Sequence, residues 1–463
     1  MRKLFTTLFI LTVITINAQT NPIITSWLRN TTGVTGRHYL STVTTPSIPI
    51  NDLNLLANVQ AVNYNTTAGY VYVSTDGIPA YISGPFGNNP STVATERNAV
   101  FRFPLVPTPA TNPTNTTGGN IGVFINGVAL FDYGDAFTWT ASSSSDVMQN
   151  GDKVWYRDAV VAERAGFDCS KAHPANGNYH HHQNPSAFNL DLVVLSTICD
   201  TYASDGLYVI NSAVHSPLIG FAYDGYPIYG PYAYINTNGT GEIARMKSSF
   251  SLRTDLPVGA IRSTYADGTD VADGPVVSAG PPSGGQNPNR GLGYYREDYK
   301  FTTPTSSDYL DAHNGRFCIT PEYPQGIYCY FATVNANHNS EYPYVVGPKF
   351  YGVNVATKLN AVPEGTTLYN PPLGSDDFII SKLDFKIYPN PTSEIISIQS
   401  VSILTNDLKV EMIDTIGRLV MAKTFYQGSS TCYIETATLY NGIYFIKIGQ
   451  GNNAKTFKIL INK

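Results

Sequence analysis

Short segments in which apolar and polar residues alternate constrain the fold of this chain most. Near the C-terminus, Leu408, Val410 and Met412 alternate with Lys409 and Glu411, a period typical of a strand with one buried face. The chain also contains 32 Tyr, and only 14% of its residues are charged, against about 25% in an ordinary soluble domain. Because aromatic and β-branched side chains fit a pleated sheet, the sequence predicts a mainly β protein and excludes a coiled coil.

A change in composition near residue 375 predicts the domain organisation. Before it, the chain contains long Gly- and Pro-rich loops over residues 107–119 and 266–291, and after it short strands follow one another regularly. A length of 463 residues is compatible with two to three domains. We predict a signal peptide over 1–18, one large β-rich domain with long loops over 19–358, a linker over 359–377 and a small Ig-like β-sandwich over 378–463.

The N-terminal segment has the three parts of a secretory signal peptide. Arg2 and Lys3 precede an apolar run from Leu4 to Ile14, and a small residue, Ala18, marks the expected cleavage region. This run is shorter than the roughly 20 residues that a membrane-spanning helix needs, and no later run is longer. We therefore expect an exported protein with no transmembrane segment in its mature form. The net charge of -5 argues against nucleic acid as a partner, since phosphate binding requires a basic surface.

The five cysteines suit an oxidising destination. Cys318 and Cys329 flank a turn rich in Pro and Gly, and a hairpin folded about that turn is expected to place them directly opposite each other, at disulfide distance. Cys169 and Cys199 are left as a second pair. Buried thiols in one or both pairs are the alternative, because connectivity cannot be deduced from sequence. Cys432 alternates with apolar residues and is predicted to be a buried, inert thiol.

The histidines are concentrated in the middle of the chain. In the segment Tyr179-His180-His181-His182, an extended backbone directs His180 and His182 to one face and His181 to the other. Two imidazoles at this spacing can share a divalent metal ion such as zinc or copper, with His173 or His215 as a further ligand. The alternative is a strand whose histidines form hydrogen bonds among tyrosines.

Two acidic residues are candidate catalytic groups. Asp224 is surrounded in sequence by Tyr, Gly and Pro, and an apolar environment raises a carboxyl pKa so that the group can act as acid or base. Asp311 and His313 can form a carboxylate–imidazole pair, either as acid and base or as a metal ligand with its orienting partner. The alternatives are a turn Asp that accepts backbone hydrogen bonds, for Asp224, and a polar turn that leads into a strand, for the Asp311 segment.

The C-terminal motifs support a family resemblance. The motifs cover residues 386–391, 414–418, 439–445 and 458–463. They occur in order at the end of the chain and resemble the type A C-terminal sorting domain of the type IX secretion system. The resemblance implies that the secretion machinery is a partner, that the protein is exported to the cell surface, and that this domain is removed there.

The middle of the chain resembles the YHYH domain family. The similar blocks cover residues 121–128, 177–185, 220–230, 310–316 and 320–328. The family tetrapeptide is Tyr179-His180-His181-His182 in this chain, so the two family histidines correspond to His180 and His182, and His181 replaces a tyrosine. The resemblance implies the domain and does not imply a reaction.

Two functions are therefore favoured by the sequence, and a purely structural role in the surface layer is a third that it leaves open. The first is a metal-binding surface protein, with a metal-dependent hydrolase or oxidase activity on an unknown substrate. The second is a non-catalytic adhesin or glycan-binding module, for which the many tyrosines would supply rigid amphipathic contact area.

Overall fold

The computed structural model describes residues 21–39, 50–86, 92–116, 118–148, 151–186, 206–355, 357–370, 384–401, 403–404, 406–450 and 453–463. The predicted signal peptide, Cys199 and part of the predicted linker, residues 371–377, lie outside the described residues.

The described chain is mainly β, as the sequence predicts. It contains two α-helices of a single turn each, α1 (Pro22–Thr25) and α2 (Ala159–Ala162). No helix in this part of the chain is long and apolar enough to cross a membrane. The strands are β1 (Thr35–Tyr39), β2 (Ile50–Leu56), β3 (Val59–Asn65), β4 (Tyr70–Thr75), β5 (Ile82–Ser83), β6 (Ala99–Pro104), β7 (Asn120–Phe124), β8 (Ala129–Phe131), β9 (Gly134–Thr140), β10 (Ser145–Met148), β11 (Tyr156–Asp158), β12 (Ala172–Ala175), β13 (Asn178–His181), β14 (Leu218–Ala222), β15 (Pro227–Tyr229), β16 (Tyr232–Tyr234), β17 (Ile243–Arg245), β18 (Phe250–Leu252), β19 (Tyr299–Phe301), β20 (Gly315–Cys318), β21 (Ile327–Phe331), β22 (Thr357–Leu359), β23 (Thr367–Leu368), β24 (Phe385–Tyr388), β25 (Ile395–Ser400), β26 (Leu408–Asp414), β27 (Leu419–Phe425), β28 (Thr431–Glu435), β29 (Gly442–Gln450) and β30 (Asn453–Ile461).

Two large sheets share the main hydrophobic core. One has the strand order β22-β6-β4-β3-β23, and the other β12-β13-β8-β7-β14-β15-β21-β20. Trp27 joins them, because its ring lies 5.7 Å from that of Phe103 in the first sheet and 5.3 Å from that of Phe221 in the second. Strand β23 pairs with β3, so the first sheet includes residues as far along the chain as Leu368.

A smaller sheet lies beside one end of the eight-stranded sheet. Its order is β10-β9-β11, and its central strand begins at Gly134, three residues after β8 ends at Phe131. Strand β13 pairs in parallel with β8. The chain therefore brings the β8–β9 connection and the β12–β13 hairpin to the same edge of the domain.

The hairpin predicted around Cys318 and Cys329 is confirmed, but the predicted register is wrong. Strands β20 and β21 pair so that Cys318 faces Ile327 while Cys329 faces Arg316. The two cysteines are thus diagonal neighbours rather than directly opposite, and both are buried free thiols. The predicted Cys318–Cys329 disulfide is not confirmed.

The C-terminal region has its own core between a three-stranded sheet, β24-β25-β28, and a four-stranded sheet, β27-β26-β29-β30. Its alternation follows the prediction, since Val410 and Met412 are buried while Lys409 is exposed. Cys432 is buried in this core, as predicted.

Candidate metal centre

The β12–β13 hairpin places two histidines side by side. Its turn residues, Asn176 and Gly177, have φ angles of 49° and 79°, which is the backbone of a type I′ turn and the reason for the Asn-Gly pair. This turn fixes the register in which His173 faces His180, and their ring centroids are 4.6 Å apart. A Cβ at position 177 would also collide with the Thr95 side chain, so this turn is closely packed.

The alternation of the strand sorts the three consecutive histidines as predicted. His180 and His182 share one face, where their Nε2 atoms are 3.1 Å apart. His181 lies on the opposite face, where its Nε2 is 2.7 Å from the Tyr81 hydroxyl. Burial lowers the pKa of His181 to about 3, so it is a neutral hydrogen-bonding residue of the core.

Glu163 brings a carboxylate to the same face. It follows α2, whose N-cap Asp158 accepts a hydrogen bond from the Val160 backbone. Its Oε2 lies 3.0 Å from Nε2 of His173 and 3.1 Å from Nε2 of His182. The four donor atoms of Glu163, His173, His180 and His182 all lie within 4.8 Å of one another.

The hydrogen bonds formed by the Nδ1 atoms of His180 and His182 determine which ring nitrogen faces this cluster. Nδ1 of His180 is 2.8 Å from the Asn178 carbonyl, and Nδ1 of His182 is 2.7 Å from the Asp132 carbonyl. A carbonyl oxygen can only accept, so each Nδ1 carries hydrogen, and the Nε2 of a neutral ring presents its lone pair. With both rings neutral, two such lone pairs face each other across 3.1 Å, and either a cation or a proton on His182 relieves that contact.

Two further atoms of the cluster that could bind a metal ion are unsatisfied. Oε2 of Glu163 and Nε2 of His173 are buried without a hydrogen-bond partner, although they are only 3.0 Å apart. Buried polar atoms are rarely left in this state. Three nitrogen donors and one carboxylate oxygen fit zinc or copper.

The pKa values of the clustered side chains are set by burial and by the charges of their neighbours. Burial lowers the pKa of His180 well below its usual value, and His182 and His173 lower it further. Burial would also lower the pKa of His182, but the Glu163 carboxylate, 3.1 Å away, raises it above its usual value. Conversely, burial would raise the pKa of Glu163, while His173 and His182 hold it well below its usual range. The carboxylate is therefore ionised and ready to balance a cation.

The backbone of Asp132 holds one of these histidines in place. Its carbonyl receives the His182 hydrogen bond, while its carboxylate accepts from the backbone N–H groups of Gly134, at 3.2 Å, and Gly118, at 2.9 Å. Arg296 lies 3.6 Å from the same carboxylate. Such outer contacts fix the tautomer and orientation of a metal-binding imidazole.

The cluster lines a cavity of about 390 Å³. One wall is Phe131, whose ring stacks on His180 with a centroid distance of 3.9 Å. Asp135, Phe137 and Met148 of the β9–β10 hairpin line another part, and the Met148 side chain is half exposed at 52%. A molecule from solvent can therefore reach the donor atoms, whereas purely structural metal sites are closed.

The fourth predicted metal ligand, His215, lies outside this cluster. Its Nδ1 is 2.7 Å from the Ser216 carbonyl, and its ring packs against Tyr229 and Tyr234. Burial lowers its pKa to about 4. The structure thus joins His173 rather than His215 to the pair on β13.

Asp224 is completely buried and occupies a site of its own. It accepts hydrogen bonds from the Tyr330 hydroxyl at 2.5 Å, from the Gly352 backbone at 2.8 Å and from the Tyr226 backbone at 3.3 Å. Burial raises its pKa to about 6, against the lowering effect of these donors. The raised pKa was expected, and the backbone hydrogen bonds of the alternative interpretation are also present.

The expected carboxylate–imidazole pair of Asp311 and His313 does not form. The carboxylate accepts instead from the backbone N–H of His313, at 2.9 Å, and from the Tyr328 hydroxyl. The imidazole lies 2.9 Å from the Lys349 carbonyl. An Asp that binds the N–H two residues later forms a turn of its own, and this turn directs the two side chains to different partners.

Glu163 was not identified from the sequence. It lies in a short apolar segment, Val160-Val161-Ala162-Glu163, and its spacing from the histidines matches no metal-binding motif. Only the packing of α2 against the hairpin makes it a neighbour of His173.

Family models match two parts of the chain. A model described as YHYH protein matches residues 100–343, which is more than half of the sequence. The chain belongs to the YHYH protein family. All four residues of the candidate cluster lie within the YHYH region, and so does Asp132.

A second model, described as a secretion system C-terminal sorting domain, matches residues 386–462. This domain marks the YHYH protein as secreted or displayed at the cell surface, and it implies contact with the type IX secretion machinery. No curated protein matches the chain.

Proposed function

We propose that this YHYH protein is a surface or secreted metalloprotein whose ion is held by Glu163, His173, His180 and His182. The observation that carries the proposal is the convergence of four donor atoms within 4.8 Å, with lone pairs that face one another. A divalent cation at their centre would turn this repulsion into four favourable contacts. Glu163 would neutralise one of its two charges.

We further propose that the centre is catalytic, as a metal-dependent hydrolase or oxidase. The support for this step is the cavity on which the donors open, because catalytic sites keep a position accessible to substrate. A bound zinc ion would supply an activated water for hydrolysis, and copper would supply redox chemistry. The protein's own contribution is a fixed donor set, oriented by the carbonyls of Asn178 and Asp132, beside an aromatic wall.

The adhesin interpretation has no comparable observation. It relied on tyrosines at the surface, yet most of the described tyrosines pack inside, including Tyr179, Tyr229 and Tyr330 at 0% exposure. Within the described residues, the well-exposed tyrosines are Tyr309 and Tyr440. The aromatic excess therefore builds the core.

Elemental analysis of the chain, produced without a histidine tag and reconstituted with zinc or copper, tests the proposal. We expect one ion per chain, and an affinity lowered at least about 100-fold in His180→Ala, since even loss of an outer hydrogen-bond partner costs 10- to 100-fold. Glu163→Gln keeps the shape of its side chain and should also weaken binding. The control is His313→Ala, because His313 contacts only carbonyl and ring groups elsewhere.

Circular dichroism would establish that each variant is folded. Absence of stoichiometric metal in the unmodified chain would refute the proposal. Equal metal affinity in the wild type, His180→Ala and Glu163→Gln would also refute it, because the ion would then be bound elsewhere.

A further inference from the structure

A second cavity adjoins the one at the candidate metal centre. The second cavity has a volume of about 570 Å³ and shares Gly119, Asp135 and Ala136 with the first. Its other walls include Thr138, Lys153 and Tyr156. A ligand bound at the donor cluster therefore has room to extend along the β9–β11 sheet toward Lys153.

The acidic groups around this groove are already matched with arginines. The Arg157 Nε donates to Asp135 at 2.9 Å, and the Arg296 guanidinium lies 3.6 Å from the Asp132 carboxylate. These pairs neutralise the carboxylates that would otherwise repel an anion, so the lining has few unbalanced negative charges.

Two hydrogen-bond donors that line the second cavity are not paired in this way. Among the described residues, neither the ammonium group of Lys153 nor the hydroxyl of Tyr156 has a hydrogen-bond partner or an ion pair. Lys153 is exposed, and its backbone is held in a left-handed conformation, φ 58°, by a bond from its N–H to the Thr138 hydroxyl at 3.3 Å. The Tyr156 ring is supported by Arg296, whose guanidinium lies 4.3 Å from the ring centroid.

Charge then determines the class of ligand. With a divalent ion bound, Glu163 balances one of its two charges, and Lys153 adds a further positive charge at the far end of the groove. A bound ion of this kind is the largest local charge in such a site. A groove with a positive charge at each end favours a ligand with an anionic group at each end.

We propose that the ligand of the metal centre is an organic dianion, a small molecule with one anionic group on the metal and a second carboxylate or phosphate group on Lys153 and Tyr156. This inference rests on the proposed function, since the first group needs the metal. It names the substrate class of that centre and makes Lys153 its specificity-determining residue.

Titration of the full-length, cobalt-loaded protein tests the inference. The visible spectrum of cobalt reports each ligand at the metal, and the probes are acetate, glutarate and 4-phosphonobutyrate. We expect glutarate or 4-phosphonobutyrate to bind at least 10-fold more tightly than acetate. The preference between these two that Lys153→Gln abolishes identifies the group bound at Lys153 as a carboxylate or as a phosphate-like group.

Lys153→Gln should reduce the tighter binding to the level of acetate without changing the affinity for cobalt. The matched control is Lys300→Gln, which removes an exposed lysine on β19 and should leave the preference intact. The inference would be overturned if cobalt binds normally but the dianions are not preferred, or if the preference survives Lys153→Gln. Either result would leave the proposed metal centre unaffected. Failure to bind cobalt, zinc or copper would overturn both.

Discussion

The two buried polar clusters of this domain differ in how their hydrogen-bond donors and acceptors are paired. Around Asp224, three donors point at the two oxygens of a carboxylate. Around Glu163 and the three histidines, acceptor atoms point at one another, and two of them have no hydrogen-bond partner. Burial and aromatic surroundings are common to both. The difference is that the first cluster is complete without a ligand, and the second requires a cation or a proton.

The strongest test of this contrast is the removal of the Asp224 carboxylate. Asp224→Ala leaves the Tyr330 hydroxyl and two backbone N–H groups buried without acceptors, and each such group costs about 1–3 kcal/mol. We expect the free energy of unfolding to fall by about 3–5 kcal/mol in total, with unchanged metal affinity in the folded fraction. Chemical denaturation and metal titration measure the two quantities. Loss of metal binding in a folded Asp224→Ala protein would show that the clusters are coupled.

The dependence of stability on pH provides a second test. The pKa of Asp224 is raised from 3.8 to about 6, so the folded protein holds a proton that the unfolded chain releases. The resulting stabilisation is complete below about pH 3.8 and is lost as the pH rises through 6, with a size of about 3 kcal/mol. Relative to Asp224→Asn, which does not titrate, the wild type should therefore lose about 2 kcal/mol between pH 4 and pH 7. Denaturation curves that shift in parallel for both proteins would contradict a raised pKa.

The smallest effect is expected at His181, which lies between the two proposed metal ligands of β13. His181→Phe removes the hydrogen bond to Tyr81 and fills the same apolar pocket, where Phe124 packs edge-on against the ring. We expect a loss of about 1–2 kcal/mol in the free energy of unfolding and no change in metal affinity. Metal titration of His181→Phe, with His180→Ala for comparison, measures the change in metal affinity. A large loss of affinity in His181→Phe would mean that the strand does not separate the two faces as the structure shows.

The parts of the site that could be predicted from sequence are those set by local geometry. The period of a strand is two, and this alone separates His180 and His182 from His181. The same rule predicted the buried face of the C-terminal sheet. Positions fixed by tertiary packing were not accessible in this way, and Glu163 is the clearest case, because α2 must pack on the hairpin before its carboxylate has a partner.

Turn geometry accounts for the other differences. The loop between β20 and β21 sets the register that makes Cys318 and Cys329 diagonal neighbours, and a loop of this length does not fix its register from composition. At Asp311, the competition between a backbone N–H and an imidazole for one carboxylate was decided by the nearer group, the N–H of His313.

All four donors of the metal centre lie between Glu163 and His182, so they stay near one another even in an unfolded chain. The entropy needed to close a chelate grows with the logarithm of the intervening length, so closing these short loops around an ion would cost less than pairing distant strands. An ion that also binds the unfolded chain stabilises the fold by less than its affinity for the native site suggests. Metal binding by the proposed centre would then not require the folded domain.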